Sequence, residues 1–180
     1  MADMLNSLID AFEELNLKYV IVRGVAVVAW WNLRTTGDVD IVLSIEDEDA
    51  ERFVLTLARY GFDVEKEDVL RSLEERSHLT VFDTLSEFHA DVKAVYDEQD
   101  VRVLERRREV RVGDRRLYVA SPEDIIAMKL VYGSEQDVKD AESVYLRQKD
   151  RLDVSYLRTL CDGFGVLPAL ESLMEESRQP

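Results

Sequence analysis

The sequence is poor in cysteine, histidine, proline and glycine, and each shortage excludes a class of protein. A single cysteine, Cys161, excludes an intrachain disulfide and any zinc or iron–sulfur site that needs several thiolates. Two histidines argue equally against a histidine-rich metal centre. With 7 glycines and 3 prolines in 180 residues, the composition favours helices joined by short connections over a loop-rich or all-β protein.

Long hydrophobic runs and a positive net charge are also missing. The longest apolar stretch, residues 19–31, is interrupted by Arg23 and is too short to cross a membrane. The N-terminus carries Asp3 and lacks the basic start of a signal peptide, so we predict a cytoplasmic protein with no membrane partner. The net charge of −15 makes the chain a poor partner for nucleic acid, unless a basic patch or bound metal ions invert the local field.

The order of hydrophobic patterns predicts an α+β fold. Later strands follow one another in hairpin-like succession, which argues against a doubly wound parallel sheet. We expect residues 1–119 to form a mixed β-sheet flanked by helices, and residues 120–180 to form a helical segment packed on it as one compact unit. Strands are predicted at 19–22, 38–43, 62–65, 79–82, 88–95, 109–112 and 116–119, and helices at 3–15, 25–33, 47–60, 67–75, 101–107, 125–132, 136–149, 154–162 and 167–177. For residues 25–33 a strand remains the alternative, and for residues 67–75 a turn.

Asp38 and Asp40 form the strongest candidate site for chemistry. Alternate residues of a strand share a face, so the two carboxylates point the same way, about 6.5–7 Å apart along the chain. Such a pair can share a divalent cation, and Mg²⁺ prefers oxygen ligands. A solvated strand end is the alternative. The apolar Val39, Ile41 and Val42 instead favour a central strand, where two like charges repel unless a cation lies between them.

Asp91 is the candidate for a third carboxylate from a neighbouring strand. An acid in mid-strand among apolar and small neighbours is unusual unless it is paired. The alternative is an exposed residue on an edge strand, which the presence of Lys93 on the same face favours. We predict that His89 points to the opposite face from Asp91 and is structural.

Other residues are candidates for binding phosphate. Gly24 lies between a strand and a predicted helix, and backbone N–H groups at a helix N-terminus bind anions. Arg34 and Thr36, just before the acidic pair, offer a cation and a hydroxyl, or only cap a turn. Seven arginines within residues 102–116 are suited to an RNA acceptor, although a solvated surface paired with nearby acids is the favoured interpretation.

The order of these motifs along the chain resembles the pattern of the nucleotidyltransferase superfamily with the polymerase-β-like fold. The resemblance is to small prokaryotic members similar to abortive-infection toxin-type nucleotidyltransferases, and it covers roughly residues 19–145. Its first half is a strand, Gly24, a short helix and the segment Arg-Thr-Thr-Gly-Asp-Val-Asp, followed later by Asp91. Its second half is the helix start Ser-Pro-Glu-Asp with Lys129, followed by the segment Asp-Val-Lys-Asp-Ala at residues 137–141.

The resemblance implies a metal-dependent enzyme that transfers a nucleoside monophosphate from a nucleoside triphosphate to an acceptor. Family members hold two divalent metals, here Mg²⁺ or Mn²⁺, which stabilise the attacking and leaving oxygens of the displacement. By this resemblance the metal-binding and catalytic carboxylates would be Asp38, Asp40 and Asp91. The nucleotide-binding residues would be Gly24, Arg34, Thr36 and Lys129, with Asp137 and Asp140 in supporting roles.

Two departures from the family pattern leave a second function open. Val25 stands where a second small residue is usual, and Ser134-Glu135-Gln136 stands where a basic residue often precedes the Asp-x-x-Asp segment. Both changes remove phosphate-binding capacity, so the alternative is a catalytically degenerate binding or regulatory protein of a toxin–antitoxin-like pair. The acceptor (RNA, protein or small molecule), the preferred base and a homodimer or partner protein are left open.

Overall fold

The structure is a computed structural model that describes residues 2–24, 26 and 39–177. A helix starts directly after the first strand, at residues 23, 24 and 26, in agreement with the predicted strand–glycine–helix order. The rest of that predicted helix, the predicted turn with Arg34 and Thr36, and Asp38 lie outside the described residues.

The described residues contain both helices and short strands up to residue 119, and from residue 122 onward their regular elements are all helices. The strands are β1 (Tyr19–Val22), β2 (Val39–Leu43), β3 (Phe62–Asp63), β4 (His78–Asp83), β5 (His89–Ala94), β6 (Arg108–Val112) and β7 (Arg115–Val119). The helices are α1 (Ala2–Glu14), α2 (Ala50–Arg59), α3 (Lys66–Glu74), α4 (Glu98–Arg106), α5 (Pro122–Tyr132), α6 (Glu135–Gln148), α7 (Val154–Gly163) and α8 (Leu167–Glu176).

Within the part of the chain that the structure describes, the seven strands form one mixed sheet in the order β3-β4-β5-β2-β1-β7-β6. Strand β2 lies at its centre, antiparallel to β1 and parallel to β5. Strand β7 is parallel to β1, while β4–β5 and β6–β7 are antiparallel hairpins. The predicted α+β class, a mixed sheet with helices and a helical C-terminal third, is therefore confirmed.

Helix α1 packs its apolar stripe against α2 and the first strand. Phe12 is fully buried, with its ring centroid 6.2 Å from that of Phe53 and 6.0 Å from that of Tyr19. Complete burial of one such side chain stabilises the fold by roughly 1.5–3 kcal/mol. These contacts hold α1 and α2 against the start of β1, which lies beside the central strand β2.

Helix α5 begins within the Ser-Pro-Glu-Asp segment predicted as a helix start, three residues before the predicted span 125–132, and ends at Tyr132 as predicted. Ser121 is its N-cap and accepts a hydrogen bond from the backbone N–H of Asp124, and Pro122 occupies the first turn. Gly133 ends the helix with a φ of 66°, a left-handed conformation that glycine adopts without steric cost. The division of the chain near residue 119 stays a prediction.

Several boundaries differ from the prediction for local reasons. Helix α4 begins at Glu98, three residues early, because the Asp97 side chain accepts a hydrogen bond from the backbone of Asp100 and caps it. A 3₁₀ turn, Asp47–Asp49, precedes α2 and occupies the start of the single helix predicted there. Across the described residues, no helix has the length and apolar character needed to cross a membrane.

Candidate active site

Asp40 and Asp91 lie side by side on central strands. Strands β2 and β5 run parallel with these two residues in register, and register partners on adjacent strands lie about 4.8 Å apart and share a face. Both residues are half-buried. Because β5 lies between β4 and β2, the alternative interpretation of Asp91 as an exposed residue on an edge strand is wrong.

Each of the two carboxylates is held by a neighbour. The Arg23 guanidinium donates a hydrogen bond from Nη1 to Oδ1 of Asp40 over 2.9 Å. The Thr80 hydroxyl donates to Oδ1 of Asp91, also over 2.9 Å. Antiparallel pairing places Val22 opposite Asp40, so the residue after the end of β1 reaches the carboxylate directly. The two carboxylates are therefore oriented by side chains of the protein itself.

A cavity of about 120 Å³ opens on this face of the sheet. Strands β1, β2 and β5 form its floor, and residues of α4 and α5 form its walls. Its charged lining includes Arg23, Asp40, Asp91, Lys93, Asp100 and Lys129. Of the predicted site residues, the structure thus brings Asp40, Asp91 and Lys129 to one cavity, although they come from three distant parts of the chain.

Lys129 reaches the cavity from α5 and is held by α6. Its ammonium lies 2.6 Å from Oδ1 of Asp137 and 2.9 Å from Oδ2 of Asp140, which is almost fully buried. Burial by itself lowers the pKa of Lys129, but hydrogen bonds to the two carboxylates hold that pKa above its ordinary value. The same contacts, with the Ser134 hydroxyl, outweigh the effect of burial on Asp137 and lower its pKa. The predicted supporting acids therefore act on Lys129.

Lys93 is also paired with an acid on a wall of the cavity. Its ammonium lies 2.8 Å from the carboxylate of Asp100, which is buried and accepts a further hydrogen bond from the backbone of Tyr96 over 3.0 Å. Sequence reasoning took Lys93 as a sign of an exposed strand. The structure shows instead that it ties β5 to the start of α4.

The Ser-Pro-Glu-Asp segment serves packing at the base of the cavity. Asp124 lines the cavity, accepts hydrogen bonds from the Ser121 hydroxyl and, over 2.8 Å, from the Tyr156 hydroxyl, and burial raises its pKa. The buried Glu123 accepts a hydrogen bond from the backbone of Asp153 over 2.8 Å. These contacts fasten α7 to the start of α5.

The carboxylates on this face of the sheet are a partial set of ligands for the implied Mg²⁺ or Mn²⁺. Within residues 2–24, 26 and 39–177, no group of three or more His, Cys, Asp or Glu side chains is arranged to hold a metal ion. Two carboxylates, Asp40 and Asp91, stand on one face, and Asp38, two positions before Asp40, lies outside the described residues. Carboxylate oxygens are the ligands that both ions prefer, so the residues present fit such a metal as part of a larger set.

Three of the clustered arginines lie over aromatic rings instead of facing solvent freely. The distances from guanidinium carbon to ring centroid are 5.6 Å for Arg102 over Phe164, 3.6 Å for Arg106 over Tyr156 and 4.8 Å for Arg107 over Tyr118. Arg115 forms two 2.5 Å hydrogen bonds with Asp10 on α1. Four of the seven arginines therefore join α4 to α7, the end of α4 to β7, and β7 to α1.

Sequence reasoning missed Arg23 and Tyr132 and misplaced His89. Arg23 directly follows an apolar strand, but its contact with Asp40 depends on a strand pairing that no local pattern reveals. Tyr132 lines the cavity from the end of α5. His89 was expected on the face opposite Asp91; this was wrong, because residues two apart in a strand share a face, and its ring lies 5.9 Å from that of Phe82.

Comparison with known proteins gives structural relatives and one family. A comparison with curated proteins gives no significant match. A crystal structure of ANT(2")-Ia with adenylyl-2"-tobramycin is similar with a TM-score of 0.60 and 14% identity, over 89% of this chain and 94% of that one. Lincomycin-bound LnuA, a lincosamide antibiotic adenylyltransferase, is similar with a TM-score of 0.53 and 16% identity, over 80% of this chain and 96% of that one. An antigenic nucleotidyltransferase-like protein from Paracoccidioides brasiliensis has a TM-score of 0.50 and 17% identity, over 96% and 92%.

At these identities the structural relatives show a shared fold. The family model described as "Nucleotidyltransferase of unknown function (DUF6036)" matches residues 3–172, which is nearly the whole chain. The expected resemblance to nucleotidyltransferases is thereby confirmed, as is the expectation of an enzyme of that type. The chain belongs to this nucleotidyltransferase family.

Proposed function

We propose that this protein transfers a nucleoside monophosphate from a nucleoside triphosphate to the hydroxyl group of an acceptor, in the cytoplasm and with Mg²⁺ or Mn²⁺. The observation that carries the proposal is the placement of Asp40 beside Asp91 at one end of a cavity in the centre of the sheet. Two carboxylates in a half-buried site repel each other, so the arrangement favours a bound cation. Asp38 is proposed as a further ligand.

The chemistry follows from the position of each side chain. The divalent metal, when bound, neutralises the triphosphate and stabilises charge on the attacking and leaving oxygens. Asp91, oriented by Thr80, accepts the proton of the acceptor hydroxyl as the bond from that oxygen to the α-phosphorus forms. The bond between the α-phosphorus and its bridging oxygen breaks, and pyrophosphate leaves. Positioning and charge neutralisation supply most of the rate in such a transfer.

The triphosphate is proposed to lie between the start of the helix after β1 and the side of the cavity formed by α5. Gly24, Arg34 and Thr36 would bind its phosphates. The Lys129 ammonium has three N–H donors, of which Asp137 and Asp140 engage two, so one donor can bind a phosphate oxygen.

A small hydroxylated molecule is the first acceptor class to test. Two structurally similar proteins are described with an adenylylated tobramycin and with lincomycin. RNA and protein are the other two classes, and the arginine cluster within residues 102–116 is the surface that an RNA would meet. The preferred base is left to experiment.

Two observations favour a second function, a non-catalytic binding or regulatory protein that acts with a second copy or a partner in a toxin–antitoxin-like pair. In the structure Asp40 already has a cationic partner, Arg23, and Val25 follows Gly24 where a small residue would suit a phosphate. A site that keeps an internal cation could bind a nucleotide without turning it over.

The test supplies each α-³²P-labelled ribonucleoside triphosphate with Mg²⁺ or Mn²⁺ and, separately, hydroxylated antibiotics, total RNA or cell-extract protein. Asp40→Asn is the inactive variant, and Asp63→Asn, on the edge strand β3, is the matched control. Label transferred by the wild type and by Asp63→Asn, but not by Asp40→Asn, supports the enzyme and identifies the acceptor. Triphosphate binding without transfer to any acceptor supports the second function.

A further inference from the structure

We propose that Arg23 is a resident cation of the carboxylate centre: it occupies Asp40 in the metal-free protein and must be displaced when a divalent metal binds there. The inference rests on the proposed function for the presence of that metal. It assigns to Arg23 the role of a positioning residue that sets how tightly the nucleotide-free protein binds metal.

The first support is the contact itself. The Arg23 guanidinium lies 2.9 Å from Oδ1 of Asp40, whose side chain is only 14% exposed. A charge-assisted hydrogen bond of this length in a half-buried site is stronger than the same pair in water. A metal ion that takes Asp40 as a ligand approaches the same carboxylate, so the two cations compete.

The second support is the backbone at Arg23. Its φ is 56°, in the left-handed region that favours glycine, although the next residue is Gly24. A non-glycine residue is uncommon there, because its Cβ crowds a backbone carbonyl oxygen. The chain therefore accepts backbone strain to keep a long cationic side chain at this position, and such strain is characteristic of functional sites.

The third support is a second contact that the Arg23 side chain can keep when it leaves Asp40, with the ring of Tyr132. The Arg23 side chain is 49% exposed, and its guanidinium carbon lies 6.0 Å from the ring centroid of Tyr132, at the end of α5. Cation–π attraction operates at this range, so the guanidinium can leave Asp40 and remain over the ring without disturbing the core. The released cation then stands at the edge of the cavity, where a triphosphate would supply a new anionic partner.

This arrangement couples metal to nucleotide. Without nucleotide, a metal that binds Asp40 breaks the Arg23–Asp40 ion pair and leaves the guanidinium without an anionic partner. With nucleotide, the displaced guanidinium can pair with the triphosphate instead. Binding of one ligand therefore favours binding of the other, and the coupling is reciprocal.

The experiment measures Mn²⁺ binding to the nucleotide-free protein by electron paramagnetic resonance and by titration calorimetry. The variants are Arg23→Gly, which suits the left-handed backbone, Arg23→Asn, which tolerates it, and Arg23→Lys, which keeps the charge. Arg59→Ala is the control, because Arg59 pairs with Glu14 at a distant exposed site. Asp40→Asn alone shows whether Mn²⁺ binding depends on this carboxylate, and the double variant Arg23→Gly/Asp40→Asn shows whether any gain in affinity does.

Both neutral variants should bind Mn²⁺ at least about tenfold more tightly than the wild type. A nearby positive charge lowers the pKa of an aspartate by about one to three units, and it opposes a metal ion at the same carboxylate in the same way. Arg23→Lys should bind much like the wild type, and the double variant should lose the gain. Unchanged affinity in Arg23→Gly and Arg23→Asn, with binding still abolished by Asp40→Asn, overturns the inference and leaves the proposed function intact. Mn²⁺ binding that never depends on Asp40 overturns both.

Discussion

Asp40 and Asp91 are register partners on the adjacent parallel strands β2 and β5, and each carboxylate is fixed by a different neighbour. The guanidinium of Arg23 holds the first, and the hydroxyl of Thr80 holds the second. This pairing of two acids at the centre of a sheet is costly unless a cation neutralises them. In this structure Arg23 supplies one positive charge beside Asp40. The proposed divalent metal would replace that charge with two.

Removal of the positive charge at Lys129 should destabilise the fold. Lys129→Gln leaves Asp140, which is almost fully buried, and Asp137 without their shared ammonium. Removal of one partner of a buried ion pair costs about 3–5 kcal/mol. We therefore expect the free energy of unfolding, measured with urea, to fall by roughly 3 kcal/mol. The triple variant Lys129→Gln/Asp137→Asn/Asp140→Asn should recover more than half of that loss. Equal stability of the single and triple variants would contradict a structural role for the three charges.

The Lys129–Asp137 contact should also make the free energy of unfolding depend on pH in the acidic range. The folded pKa of Asp137 lies below its ordinary value of 3.8, so its contribution is complete above that pH and is lost as the pH falls toward the folded pKa. Asp137→Asn should therefore lower the free energy of unfolding by about 1 kcal/mol at pH 6, and the difference should shrink below pH 3.8. Asp68→Asn, at an exposed pair with Arg71, is the control and should show little change at either pH. A constant difference across the pH range would refute the assignment.

The hydrogen bond between Tyr156 and Asp124 should contribute measurably to stability. Tyr156→Phe removes the hydroxyl that donates over 2.8 Å to a carboxylate which is buried and has a raised pKa. We expect a loss of about 1–3 kcal/mol in unfolding free energy, because the acceptor stays buried without its donor. Tyr60→Phe, which removes a bond to the exposed Glu14, should cost less. Equal losses of unfolding free energy in the two variants would contradict the claim that burial of Asp124 makes its hydrogen bond with Tyr156 costly to lose.

Local patterns predicted most of the elements. The alternation in Asp-Val-Asp-Ile-Val-Leu predicted β2, and the Ser-Pro-Glu-Asp start predicted α5, because period and capping depend only on neighbouring residues. The early start of α4 was missed although its cap, Asp97, is a residue typical of helix starts. The error at His89 came from a misapplied strand period, not from any unusual structure.

Contacts between distant segments were less accessible from sequence. Asp91 was correctly placed on a strand, but its position beside Asp40 depends on which strands pair and in what register. The Arg23–Asp40 pair depends on a second such pairing, between β1 and β2. Lys129 was expected to face only the nucleotide, because no pattern within α5 shows that α6 turns back to present two carboxylates to it.

The most direct test of the account compares α-³²P- and γ-³²P-labelled triphosphate with the wild type, Asp91→Asn and Asp63→Asn, using the acceptor found in the screen. The account predicts that label passes to the acceptor only from the α position, with pyrophosphate released, and that Asp91→Asn is slower by at least about 100-fold. Asp63→Asn should match the wild type. Transfer from the γ position, or full activity of Asp91→Asn, would contradict the assignment of Asp40 and Asp91 as the centre of a nucleotidyltransferase.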